Sequence, residues 1–264
     1  GANHKKEIAF LCELAKPDYG YITNFGKAHL EGFGGIQGVI EGKSELYQYL
    51  SINNKLAFIN LEDSIQVQKA ADLKFFSFGI KKENADVNII DVKANPFVEI
   101  NFSNLIIKSH LIGLYNANNI NAALTIGKYF GVDDIAIKEG LESYIPENNR
   151  SQLLSKGTNQ IILDAYNANP SSMKVAIENF LQLDNPNKIM ILGDMFELGD
   201  ASTQEHLEVL KLLLDKNEIQ CFFIGSAFYA NKTVTTHFHF YETFDSFSEY
   251  LKEIKIVNSV VLIK

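Results

Sequence analysis

The chain has 264 residues, enough for two compact domains and more than one small core needs. Hydrophobic residues make up 46%, and the formal charge of −8 argues against sequence-independent nucleic-acid binding, which needs clustered Lys and Arg. Cys12 and Cys221 form no CxxC pair, which points to two reduced thiols in a cytosolic protein, and no apolar run reaches the roughly 18 to 20 residues of a membrane span.

Ile8, Leu11, Cys12 and Leu14 fit a short amphipathic helix that ends before Pro17. Tyr19 to Phe25 reads as a strand, Gly34 to Gly38 as a loop, Val39 to Leu50 as a helix and Lys55 to Asn60 as the next strand. From about Phe75 to Ile112 the β-rich runs Val87 to Val92, Val98 to Phe102 and Leu105 to Ser109 predict a hairpin-rich meander. Helices are expected over Asn118 to Phe130 and Asp134 to Ser143. The polar stretch Pro146-Glu147-Asn148-Asn149 marks a boundary, giving domains over 1–147 and 148–264. Beyond it, strands at Ile161 to Leu163, Lys188 to Leu192, Gln220 to Ile224 and Ser259 to Ile263 alternate with helices at Ser171 to Leu183, Ser202 to Leu214 and Phe244 to Ile254. Such alternation implies a mainly parallel sheet covered on both faces, which binds ligands at the carboxyl ends of its strands. The opening Gly1-Ala2-Asn3-His4 without Met and the apolar closing run suggest a piece of a longer protein.

The unusual polar residues follow strands. Asn24 and His29 come after the first strand; His29 is either a metal ligand or a surface loop histidine. Lys43 lies on a helix and by itself reads as a solvated lysine. Gly113 to Ala123 contains Asn116, Asn118, Asn119 and Asn121; capping explains one or two of these, and a carboxamide can also read the edge of adenine. Asp164 ends an apolar strand, the usual place for a ribose-binding carboxylate, while Asn169-Pro170-Ser171 also makes a good helix start. Asp194 and Glu197 follow another strand, with His206 in the next helix; a plain loop explains them equally well. The Gly-x-x-x-x-Gly-Lys-Ser/Thr phosphate loop, HExxH and Gly-x-Ser-x-Gly are absent, and no residue set supports a covalent nucleophile.

Three stretches together resemble the Mur ligases: Gly1 to His4 with Glu7 and Ile8, Asp164 to Pro170 (DAYNANP), and Leu192 to Gly199 (LGDMFELG). The resemblance covers essentially the whole chain. It implies an α/β fold: the remnant of a P-loop-type central ATP-binding domain, lacking its P-loop portion, followed by a Rossmann-like C-terminal domain. It implies a cytoplasmic, monomeric, ATP- and Mg2+-dependent ligase of peptidoglycan precursor synthesis. The substrates would be UDP-N-acetylmuramoyl-tripeptide and D-alanyl-D-alanine, joined through an acyl phosphate, with no nucleic-acid partner and no membrane insertion. The piece alone is expected to be inactive.

The resemblance also implies residue roles. His29 and Lys43, the latter carbamylated, match the metal-site stretch. Asn119 matches the adenine contact and Asn116 its neighbour. Arg150 matches the phosphate-reaching residue and Asp164 the ribose-binding acid. Asn24, Tyr166, Asn167 and Asn169 are expected at the substrate. Leu114 and Tyr115 replace a common Arg-His pair, and Gln152 stands near a place where relatives often carry an acid, so contacts there differ in detail. The alternatives are another Mur or folylpolyglutamate synthase-type ligase, or a non-catalytic nucleotide-binding module whose Asn-rich loops serve only as helix caps.

Overall fold

The computed structural model describes residues 2–264; Gly1, which opens the first motif, lies outside them. The chain divides into two compact units, one ending at Ile145 and the other spanning Pro146–Lys264.

The first unit runs α1 (Glu7–Ala15), β1 (Tyr19–Tyr21), α2 (Leu30–Phe33), α3 (Ile36–Ile52), β2 (Leu56–Asn60), α4 (Ser64–Lys69), β3 (Lys74–Ile80), β4 (Val87–Ala94), β5 (Phe97–Phe102), β6 (Leu105–Ile112), α5 (Ala117–Tyr129) and α6 (Asp134–Ser143). Its six strands form one sheet in sequence order. β1 to β4 pair in parallel and β4 to β6 antiparallel. The expected meander is therefore the β4–β6 part alone. Alternate residues of those strands, Val87 and Ile89, Val98 and Ile100, point into a core that also takes Ile120 and Leu124 of α5. That is the period-2 face of a sheet meeting the apolar stripe of a helix.

Several boundaries differ from the sequence reading. The strand expected to Phe25 stops at Tyr21, because the ladder to β2 ends at Tyr21–Phe58 and the Ile22 carbonyl accepts from Gln66 Nε2 at 2.9 Å. α3 begins at Ile36, inside the expected loop, with Gly35 at φ 98° turning the chain into it. α2 and α4 are four and six residues long, too short to leave a periodic signal. Asp63 caps α4 by accepting from Ile65 N and Gln66 N, and Asp133 caps α6 by accepting from Ile135 N.

The second unit runs β7 (Gln152–Lys156), β8 (Asn159–Leu163), α7 (Pro170–Leu181), β9 (Lys188–Gly193), α8 (Ser202–Leu213), β10 (Gln220–Ile224), α9 (Ser226–Ala230), β11 (Phe238–Tyr241), α10 (Phe244–Glu253) and β12 (Val260–Ile263). The strand order is β11-β10-β9-β12-β8-β7, parallel except for the β7–β8 hairpin. β7, α9 and β11 are additions to the sequence reading, again short. Met173, Ile177, Phe180, Met190, Leu192, Phe223 and Leu262 are buried where helices cover this sheet. Each such burial contributes roughly 1.5–3 kcal/mol. The last strand in sequence, β12, lies between β8 and β9. Its end therefore stands beside the exits of both, which positions the site below. Among the described residues no helix is long and apolar enough to cross a membrane.

Candidate functional site

In the first unit, Lys43 projects from α3 toward the loop after β1. Its ammonium donates to the Asn24 carbonyl at 2.8 Å and lies 3.5 Å from Asn24 Oδ1. Asn24 Oδ1 also accepts from Gly26 N at 3.0 Å, so the side chain folds onto its own loop. Burial holds Lys43 below the ordinary lysine value of 10.5, since desolvation penalises the ammonium. The solvated helix face that its local sequence suggests is therefore not its environment. His29 precedes α2 in a left-handed conformation, φ 55°. A non-glycine residue held there costs on the order of 1 kcal/mol or more, and such strain clusters at functional sites.

Among the described residues no three His, Cys, Asp or Glu side chains converge as a metal cage. Magnesium does not require one; it keeps several waters and takes one or two anionic protein oxygens. A lysine with a lowered pKa fits that demand only after conversion. That conversion would be addition of its neutral amine to carbon dioxide with loss of a proton, which would give a carbamate with two hard oxygen ligands.

The Asn-rich turn divides its labour. Asn116 is buried; its Nδ2 donates to the Ile112 carbonyl at 2.8 Å and its Oδ1 accepts from Asn119 Nδ2 at 3.2 Å. It ties the exit of β6 to the start of α5. Asn119 is exposed, and a carboxamide held by one N–H keeps an acceptor and a donor for a planar partner. Asn121 is fully buried with neither side-chain atom hydrogen-bonded.

The second unit gathers more of the expected residues. Asp164 leaves β8 with its Oδ1 accepting from Ser151 N at 3.1 Å and its Oδ2 2.9 Å from Lys264 Nζ. The same ammonium donates to the Asn167 carbonyl at 2.9 Å. The Arg150 guanidinium stacks on the Tyr166 ring at 3.9 Å, and Tyr166 N donates to the Asn149 carbonyl at 3.1 Å. Asn149 and Ser151, on either side of Arg150, both have positive φ, 56° and 51°. Thus Arg150, Asp164, Tyr166 and Asn167 form one connected group at the carboxyl end of a parallel sheet. Asn169 instead caps α7: its Oδ1 accepts from Ser172 N at 2.9 Å, and Ser172 Oγ accepts from Asn169 N at 3.2 Å. Lys264 was missed by the sequence reading. Its only signal there is a lysine directly after an apolar strand.

Asp194, the acid after β9, has another task. Its carboxylate accepts from Ala227 N and Phe228 N at 2.8 and 2.9 Å, anchoring the start of α9. His206 Nε2 stands 3.7 Å from Asp194 but accepts from Met195 N at 3.1 Å, while Nδ1 donates to the Ser202 carbonyl at 2.7 Å. One accepting and one donating nitrogen is the pattern of a neutral ring, so this contact is structural rather than an ion pair.

The Mur ligase middle domain family matches residues 1–127, and the Mur ligase glutamate ligase domain family matches residues 149–264. The UDP-N-acetylmuramoyl-tripeptide--D-alanyl-D-alanine ligase of Bacillus subtilis is 31% identical over 210 residues, 79% of this chain and 46% of the relative. The corresponding ligase of Haemophilus influenzae is 33% identical over 214 residues, 79% of this chain and 46% of the relative. Among solved structures, MurF from Thermotoga maritima in complex with ADP superposes with a TM-score of 0.82 at 25% identity, covering all of this chain and 62% of its own. MurF from Acinetobacter baumannii gives a TM-score of 0.81 at 27% identity, covering all of this chain and 59% of its own. The chain spans about half the length of the curated relatives it matches.

Proposed function

This chain belongs to the Mur ligase family, and we propose that it is part of a cytoplasmic, ATP-dependent ligase that adds D-alanyl-D-alanine to UDP-N-acetylmuramoyl-tripeptide. Residues 1–147 would be the later part of the central ATP-binding domain and 148–264 the C-terminal domain. The observation that carries this reading is the group Arg150, Asp164, Tyr166 and Asn167 at a strand exit, where open α/β sheets take their ligands. A carboxylate there suits ribose hydroxyls, and an exposed guanidinium beside it suits phosphate.

The tripeptide carboxylate attacks the γ-phosphorus of ATP, giving an acyl phosphate and ADP. The dipeptide amine then attacks the acyl carbon; the C–O bond breaks with its electron pair going to the departing phosphate, and the nitrogen gives up a proton to leave the amide. Catalysis of such transfers is mostly positioning and charge neutralisation. In the first unit, Asn119 offers its amide edge to adenine, while Asn116 fixes the turn that presents it. Arg150 binds phosphate oxygens and Asp164 the ribose. Magnesium, when bound, neutralises phosphoryl charge; His29 and a carbamate on Lys43 are the residues that would hold it. Asn24 orients Lys43 through the contact at 2.8 Å. The enzyme would act as a monomer on soluble substrates, without nucleic acid.

The test is ADP release by the complete protein with ATP and magnesium. Release that requires both UDP-N-acetylmuramoyl-tripeptide and D-alanyl-D-alanine supports the reading. Release driven by a folate and glutamate would assign the chain to the folylpolyglutamate synthase type, and no release with any pair would leave a binding module. Lys43→Ala should abolish turnover, with partial recovery in acetate. Full activity without added carboxylate would rule out a catalytic carbamate.

A further inference from the structure

Lys264 has the least ordinary environment of any cation in the second unit. Its side chain is 4% exposed, and lysine is almost never buried to that degree unless paired. It follows β12, which the fold inserts between β8 and β9, so its ammonium reaches the exit of β8 from the neighbouring strand. There it meets two acceptors on one segment, Asp164 Oδ2 at 2.9 Å and the Asn167 carbonyl at 2.9 Å. Burying an ion pair is weak as a source of stability, because desolvation of both charges offsets their attraction. A geometric task accounts for it better.

The carboxylate of Asp164 shows what that task is. An ionised carboxylate has about four acceptor sites, two on each oxygen. One site on Oδ1 is taken by Ser151 N and one on Oδ2 by Lys264. Each oxygen therefore keeps one site, and the side chain is 12% exposed. Two acceptors on adjacent oxygens match the two donors of a vicinal diol. Ser151 N alone would leave the carboxylate free to rotate about its own axis; the second anchor removes that freedom. We propose that Lys264 is a positioning residue that fixes the rotation of Asp164, so that its two remaining acceptor sites meet the 2′- and 3′-hydroxyls of a ribonucleotide together. This rests on the reading of Asp164 as the ribose acceptor.

The experiment compares ADP with 2′-deoxy-ADP by calorimetry on the complete protein, for the wild type and for Lys264→Met. A site built to bond a hydroxyl rejects the analogue that lacks it, so the wild type should prefer ADP by about tenfold or more. In Lys264→Met the preference should fall below about threefold, because a rotating carboxylate gains little from the second hydroxyl. A merely structural lysine would weaken both ligands equally and keep the preference; that result overturns the proposal. Should Lys264→Met not fold, Lys264→Arg keeps the charge but not the geometry, and its preference should drop by about threefold. An unchanged preference there also overturns it. A wild type that binds neither nucleotide overturns the ribonucleotide reading itself, an outcome distinct from either of these.

Discussion

Asp164 and Asp194 give the same signal in the sequence and have different roles in the fold. Each is an acid directly after an apolar strand, β8 or β9, and these strands flank β12. Asp194 accepts from two backbone N–H groups of α9, at 2.8 and 2.9 Å, and its side chain is 6% exposed. Asp164 meets one backbone N–H and one ammonium, with an acceptor site left on each oxygen. The backbone N–H groups of a helix start tie Asp194 to α9, whereas Asp164 is held by an ammonium from the neighbouring strand. Position after a strand selects the candidates, and the donors that arrive from elsewhere decide among them.

The largest effect should come at Gly225, which lets α9 approach Asp194. A Cβ there would stand 2.2 Å from Asp194 Cγ, and φ is 128°, a region open essentially to glycine. Gly225→Ala should destabilise the second unit by about 3 kcal/mol or more, adding overpacking to backbone strain. A urea midpoint within error of the wild type would show that the Asp194 clamp is looser than its hydrogen bonds imply.

The same substitution made at both acids sharpens the contrast. Asp194→Asn turns an amide donor toward one of two backbone donors and should lower unfolding stability by about 1–3 kcal/mol, with nucleotide affinity unchanged. Asp164→Asn likewise turns an amide donor toward Ser151 N or the buried Lys264 ammonium, and stability should fall by a similar amount, about 1–3 kcal/mol. In the complete protein its KM for ATP should rise about tenfold, and more than the KM for the dipeptide. The opposite pattern would assign Asp164 to the amine substrate.

Lys43 allows a test by pH. Its folded pKa lies below the unfolded value, so between the two the unfolded chain holds more protons and stability rises with pH. Below the folded pKa both states are protonated and the desolvation penalty is fully present; above about pH 10.5 it is gone. Lys43→Met should therefore be more stable than wild type at neutral pH, with the gap closing as pH approaches that value. A gap independent of pH would mean that the packing of methionine, not loss of the charge, sets it.

The smallest effect concerns Asn121, which has no donor or acceptor opposite it, unlike either aspartate. Replacing an unsatisfied buried amide by an apolar group of similar size removes a penalty on the order of 1 kcal/mol. Asn121→Leu should raise thermal stability accordingly. A clear loss instead would reveal that the amide is satisfied by bound water.

What the sequence determined follows from local rules. Apolar runs of four or five residues alternating with helical stripes established the parallel C-terminal sheet, and Asp134–Ser143 and Gln220–Ile224 are observed as expected. Asn169-Pro170-Ser171 announced its own capping box because every partner lies within three residues. Asp164, Tyr166 and Asn167 were legible as candidates because loops at strand exits carry polar residues that a core does not need, while Arg150 came only from the family resemblance. α2, α9 and β11 were not legible, since elements of four or five residues hold barely one period of any pattern. Tertiary structure alone decided the strand order. Placing β12 between β8 and β9 brings Lys264 to a carboxylate 100 positions earlier in the chain, and Asp194 meets a helix start more than thirty residues later. Nothing local encodes such meetings. They arise because burying both faces of a parallel sheet fixes which strands are neighbours, and only neighbouring strand ends can share their side chains.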